Sequence, residues 1–166
     1  SSGMSFELTI TNESIPEEIK NLIEQTYALS TTKKSFIETA KIAAAPDELL
    51  ESLSQQGYTI KTLAADNNFL EVVAKDSLTL EKIEALLKIK EQITWLDLGN
   101  TGLQDQWTST LNQFTNLTRL ALDNNAITDA GISQLGKLEH LESINVHATQ
   151  ISDAGLKLLA KQNAIK

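Results

Sequence analysis

Apolar residues in the second half of the chain recur in a fixed order every 24 residues. Ile93, Leu96 and Leu98 are matched by Leu117, Leu120 and Leu122, and again by Leu141, Ile144 and Val146. Within each set the intervening positions are mostly polar, the alternation of a strand with one buried face. A turn follows (Asn100-Thr101, Asn124-Asn125, Ala148-Thr149), then a further apolar residue (Leu103, Ile127, Ile151) and an acidic one (Asp105, Asp129, Asp153). A helical half then carries Leu111 and Phe114, or Ile132, Leu135 and Leu138, or Leu156 and Leu159. One such unit cannot bury its own apolar edge, so stacked units share a continuous core. The predicted fold is an α/β right-handed solenoid, with parallel strands on a concave face and helices on the convex one.

The turn asparagines suit the point where each strand leaves the sheet, because their side-chain amides can satisfy backbone groups there. Thr128-Asp129-Ala-Gly and Ser152-Asp153-Ala-Gly read as helix starts, with hydroxyl or carboxylate capping the first free amides.

Upstream the pattern loosens. Ser1-Ser2-Gly3 ahead of Met4 reads as a tag remnant. Phe6 to Ile10 alternates like a short strand. A helix is expected from Ser14, with Ile19, Leu22, Ile23 and Tyr27 as its apolar stripe, ending by Ser30 to Thr32. A second helix over 35–44 would turn Phe36, Ile37, Ala40 and Ala44 inward and stop before Pro46. Pro46-Asp-Glu opens a third, burying Leu49, Leu50 and Leu53 and closed by Gly57. Two β-like runs follow, Tyr58 to Leu63 and Phe69 to Val73, separated by the turn residues Asp66-Asn67-Asn68.

Moving the repeat register back once more puts Phe69, Val72 and Ala74 on inward strand positions, followed by a helix Leu80 to Lys90 with Ile83, Leu86 and Leu87 inward. Residues 4–68 are therefore read as a helical N-terminal region and cap, and 69–92 as a degenerate repeat. Regular repeats then cover 93–116, 117–140 and 141–164. Ile165 falls where another strand would begin, so the pattern predicts a natural chain that continues past Lys166; the alternative is a degenerate natural end, marked by Gln162 at a normally apolar position.

Composition narrows the functions. With 14 Lys+Arg against 22 Asp+Glu the net charge is -8, and residues 1–92 hold 15 of the acidic and 9 of the basic groups. No basic face exists to displace counterions, which disfavours nucleic acid and anionic membranes as partners. There is no cysteine, which removes disulfides, thiolate metal sites and cysteine nucleophiles together. No apolar run approaches the roughly 18 residues of a membrane span.

The phrase built from Asn/Asp-Asn/Thr, Ile, Thr/Ser-Asp-Ala-Gly and Ile/Leu resembles the bacterial NT-x-I-T-D-x-G-L class of leucine-rich repeats, related to the ribonuclease-inhibitor and F-box-associated types. The likeness covers 93–165 well and 69–92 poorly, and it specifies fold rather than function. Residues 93–156 look more particularly like the C-terminal repeats of membrane-associated c-type cytochrome proteins of planctomycetes and Bacteroidetes. That likeness implies a haem elsewhere and a periplasmic or membrane-tethered setting, with this piece as recognition module; without it a cytoplasmic setting is expected. The chain has no Cys-x-x-Cys-His, so no haem or other cofactor is placed on it.

The outward strand positions carry whatever function the face has: Trp95, Arg119 and Ser143, then Asp97, Ala121 and Asn145, then Gly99, Asp123 and His147. Trp and Arg side by side are the pairing most enriched at binding hot spots. The candidate binding residues are therefore Trp95, Asp97, Arg119, Asp123, Asn145 and His147. The bland alternative has Trp95 packing beneath the cap and Arg119 stacking on it for structural reasons. His147 beside Asp123 is a weak metal or general-base pair, since no third ligand and no placed nucleophile accompany it. His140 reads as an exposed loop residue, and Asn67, Asn68, Asn124 and Asn125 as turn formers rather than calcium ligands. The reading is a non-catalytic module that binds a protein partner, with a structural spacer or an enzyme using the groove as rival classes.

Overall fold

The computed structural model describes residues 18–19, 36–136 and 138–163. The chain is α/β, with a five-stranded mixed sheet in sequence order: β1 (Tyr58–Thr62), β2 (Leu70–Ala74), β3 (Ile93–Asp97), β4 (Arg119–Ala121) and β5 (Ser143–Asn145). β2 to β5 are parallel, whereas β1 returns antiparallel onto β2, with Tyr58 opposite Ala74. Between strands run α3 (Leu80–Leu86) with a 3-10 turn (Leu87–Ile89), a 3-10 helix (Asp105–Gln113), α4 (Asp129–Gln134) and finally α5 (Asp153–Asn163). Leu96 stands opposite Leu120 and Leu120 opposite Ile144, so the 24-residue period of the sequence is the pairing register of the sheet.

All the inward positions of the three regular repeats lie in one buried cluster; Val72 and Ala74 are buried on β2, and Phe69 is buried just before it, the irregularity at Leu70/Glu71 putting Leu70 rather than Phe69 opposite Ile93. At the end of each strand the chain must turn sharply, and Asn100, Asn124 and Ala148 do so at φ of 55°, 53° and 50°. Asparagine tolerates this left-handed region; alanine gains nothing there to offset its Cβ clash. Ala148→Gly is therefore expected to stabilise the exposed third turn by about 1 kcal/mol, readable as a higher urea midpoint at unchanged slope.

The residue after this turn bonds back to its own strand, and in one case also to the preceding unit. Thr101 and Thr149 donate their hydroxyls to Leu98 O (2.6 Å) and Val146 O (2.7 Å) within their own units. Asn125, 4% exposed, reaches further. Its Nδ2 donates to Leu122 O (3.0 Å) and to Leu98 O of the preceding unit (2.8 Å), while its Oδ1 accepts from Thr101 N (3.2 Å) and Leu103 N (2.9 Å).

Two of the acidic residues, Asp105 and Asp129, bond forward rather than at their own helix starts. Thr128 and Ser152 hydroxyls accept from Ala130 N and Ala154 N and supply the local caps. The carboxylates instead reach forward one unit: Asp105 accepts from Thr128 N (2.8 Å) and Thr128 Oγ1 (2.6 Å), and Asp129 accepts from both the amide and the hydroxyl of Ser152. The Ser152 hydroxyl, then the Ser152 amide, hold the Asp129 carboxyl below its ordinary value of 3.8 against a small opposing cost of burial, with the Gly155 amide adding to them. Lowered in the folded chain, this group contributes stability that is present above pH ~4 and lost as pH falls through its folded value. Urea titrations from pH 6 to pH 2 should show the wild type losing more stability than Asp129→Asn, whose curve lacks this component.

The N-terminal cap is only partly helical. α2 (Asp47–Gln55) buries Leu53, leaves Leu49 and Leu50 half-buried against the core, and ends at Gly57 with φ 97°. The cap then supplies a strand, β1, which the expected all-parallel sheet did not include. The Tyr58 hydroxyl donates to Lys82 O (2.9 Å), and burial pushes the phenol up to about 12, so it remains a neutral donor.

The helix expected over 35–44 shrinks to α1 (Phe36–Thr39). Beyond it the chain is irregular because its carbonyls are used sideways: Ile42 O accepts from Asn68 Nδ2 (2.8 Å) and Ala43 O from Gln92 Nε2 (3.0 Å). Ala44, expected inward, is exposed. The helix predicted to Lys90 is α-helical only to Leu86, and Ile89 rather than Leu87 is its third buried residue. His140, expected exposed, is half-buried and stacks on Phe36 at 4.0 Å between ring centroids. The strand expected at 6–10 and most of the helix from Ser14 lie outside the described residues; Glu18 and Ile19 are helical and Ile19 is buried.

Candidate functional site

Side chains alternate across a strand, so residues next to the buried Leu96, Leu120 and Ile144 point to the opposite face of the sheet. The strand register sets them in rows. Glu71, Trp95, Arg119 and Ser143 form one row across β2 to β5, with Lys61 of β1 opposite Glu71. Val73, Asp97, Ala121 and Asn145 form the next. A third row, Gly99, Asp123 and His147, follows where the ladder continues through Asn100 N to Asp123 O (2.9 Å) and Asn124 N to His147 O (3.0 Å). Glu71, Trp95, Arg119 and Ser143 of the first row and Asp97, Ala121 and Asn145 of the second line an open hollow of about 240 Å³.

The guanidinium of Arg119 lies over the Trp95 ring, its carbon 4.1 Å from the ring centroid. Trp95 is half-buried and Arg119 exposed. Cation and ring quadrupole attract, and the flat guanidinium keeps its N–H edge available while its face is stacked. Among the described residues Arg119 makes no hydrogen bond or ion pair through its side chain. Trp95 Nε1–H is itself buried with no acceptor among the described residues, a rare condition for a native polar group.

The other predicted residues are divided. Asp97 Oδ1 accepts from Gly99 N at 2.9 Å, a local turn bond that leaves its second oxygen outward. Asp123 is engaged on both oxygens, by Asn145 Nδ2 (3.0 Å) and Asn124 Nδ2 (2.7 Å). Asn145 in turn accepts from His147 N through its Oδ1 (3.0 Å). Gly99 makes room for this, since a Cβ there would lie 2.8 Å from Asp123 Oδ1. Asp123 and Asn145 are thus joined, but the His147 imidazole is exposed and makes no hydrogen bond with Asp123 or any other described residue. Hydrolytic chemistry on Ser143, His147 and Asp123 lacks the base-to-carboxylate bond it requires. Among the described residues no group of three His, Asp or Glu side chains could hold a metal ion, and no helix is long and apolar enough to cross a membrane.

Glu71 is the site residue that sequence reasoning missed. The register that aligned Phe69 with Ile93 already placed Glu71 beside Trp95, but the outward positions of the degenerate repeat were not read along with the inward ones. No family model, curated protein or solved structure matches the chain.

Proposed function

We propose that this chain is a non-catalytic recognition module, a right-handed solenoid of the leucine-rich-repeat type, whose open sheet face binds a protein partner. The observation that carries this reading is the Arg119 guanidinium, stacked on Trp95 yet with its donors unengaged, at the centre of an open hollow. A side chain already ordered by stacking loses less freedom on binding, which is the physical advantage of a preorganised anchor. Trp and Arg also dominate the energetics of protein interfaces, whereas self-bonded polar groups such as Asp123 and Asn145 contribute shape and rim polarity.

The test is capture of partners from native extract by the wild-type chain, by Trp95→Ala and Arg119→Ala, and by a distant control, Lys157→Ala, on α5. Each anchor substitution should lower recovery of specific partners by about tenfold or more while leaving the urea transition in place; the control should not. Recovery undiminished in both folded anchor variants would sink the assignment of this face.

A further inference from the structure

Resting on the recognition reading above, we propose that the partner's anchor in this hollow is a single tyrosine side chain. Its ring covers the side of the Arg119 guanidinium turned away from Trp95, and its hydroxyl donates to a carboxylate lining the same hollow.

The hollow is shaped for one side chain. The strand register puts Ala121 between Asp97 and Asn145, and Arg119 lies two residues before it on the same face. All four line the hollow. The shortest side chain stands among longer polar ones, which leaves a depression over its methyl group. At about 240 Å³ the space falls below the roughly 300–1,000 Å³ of sites for small molecules. It suits one anchor residue seated in a pocket at an interface.

Charge narrows what that residue is. Arg119 shares the hollow with Glu71 and Asp97. An acidic group is opposed by both carboxylates. A basic group gains from the carboxylates but must sit against the guanidinium. A neutral group escapes both costs, and among neutral side chains the aromatic ones attract a cation, through the negative face of the ring. The guanidinium carbon lies 4.1 Å from the Trp95 ring centroid and Arg119 is exposed, so its other side is open to a second ring. Acceptors then choose among aromatic residues. Glu71 makes no hydrogen bond or ion pair through its side chain among the described residues, and Asp97 uses only Oδ1, on Gly99 N. A phenol is a neutral donor that either carboxylate can accept from, whereas phenylalanine has no hydroxyl to give.

The test titrates N-acetyltyrosinamide into the isotope-labelled full chain and follows the Arg119 side-chain NMR signal. A ring stacked on the guanidinium should move this signal upfield saturably, with a dissociation constant on the order of 1–10 mM for so small a probe. The phenylalanine analogue should give the same shift with about threefold weaker binding. The leucine, glutamate and lysine analogues carry no ring and should neither shift the signal upfield nor compete with tyrosine. Ala121→Leu fills the depression on the face away from the core, and Arg119→Gln removes the cation. Each should weaken tyrosine binding about fivefold or more while the urea transition stays in place. Three results overturn the inference: no saturable upfield shift up to about 20 mM probe, equally tight binding of any of the four analogues, or tyrosine binding undiminished in folded Ala121→Leu. If the probe fails while Trp95→Ala and Arg119→Ala still abolish capture of partners from extract, the tyrosine chemistry is wrong and the recognition face stands. If capture is indifferent to both substitutions, the recognition face falls, and with it the tyrosine as a partner's anchor, whatever the free probe does.

Discussion

Replacing Asn125 by alanine should lower the stability of the chain by about 4 kcal/mol, a fall in Tm of roughly 8–16 °C for a chain of this size. The size of the effect follows from what is left behind. Asn125 is buried, and its amide serves Thr101 N, Leu103 N, Leu98 O and Leu122 O. Alanine leaves Thr101 N, Leu103 N and Leu122 O without this partner in a place water does not reach easily, while Leu98 O keeps the Thr101 hydroxyl, and each group so left costs about 1–3 kcal/mol. Asn125→Thr separates the contributions. By analogy with Thr101 and Thr149, its hydroxyl can keep the bond to the carbonyl three residues back but cannot reach the preceding unit. Thermal and urea denaturation should therefore place it between wild type and Asn125→Ala; equal stability of the two variants would mean that the inter-unit bonds contribute nothing.

The second large effect opposes ordinary helix propensity. Gly131 lies in α4, where glycine to alanine normally stabilises by about 1 kcal/mol. Here a Cβ would stand 2.3 Å from Asp105 Oδ1 and 2.8 Å from Ile127 Cγ2. The carboxylate can move only by giving up Thr128, and Ile127 is wholly buried. Gly131→Ala is expected to cost about 2–4 kcal/mol. In an Asp105→Ala background part of that cost should disappear, because the closest obstacle has gone. A double-mutant cycle by urea denaturation reads this as non-additivity; strict additivity would show that the carboxylate does not constrain the glycine.

The sequence made the repeating part legible because its information is local and periodic. Leu96, Leu120 and Ile144 share one spacing, and that spacing became the sheet register. Trp95 and Arg119 could be placed side by side for the same reason. Contacts that cross between units were harder to read. Asp129 was assigned to the helix start beside it, since a carboxylate before Ala-Gly looks like a cap, and Asp105 was given no partner, yet the groups they bind stand 23 residues ahead. His140 and Phe36 were each read from their neighbours in sequence, and nothing periodic links them. The segment after α1 has good helix formers but gives its carbonyls to Asn68 and Gln92, a tertiary demand that outweighs propensity.

That segment also changes how the stack holds together. Units that touch only their neighbours melt piecemeal, and their stability is close to a sum of adjacent terms. Here residues 36–43 lie against Asn68 at the end of the cap, Gln92 at the end of the degenerate unit and the ring of His140 at the end of the 117–140 unit. The cap and a unit two further along from the degenerate one are thereby coupled directly, so fraying at one is felt at the other. A linear array bridged in this way has fewer routes to partial unfolding and moves towards a single cooperative transition.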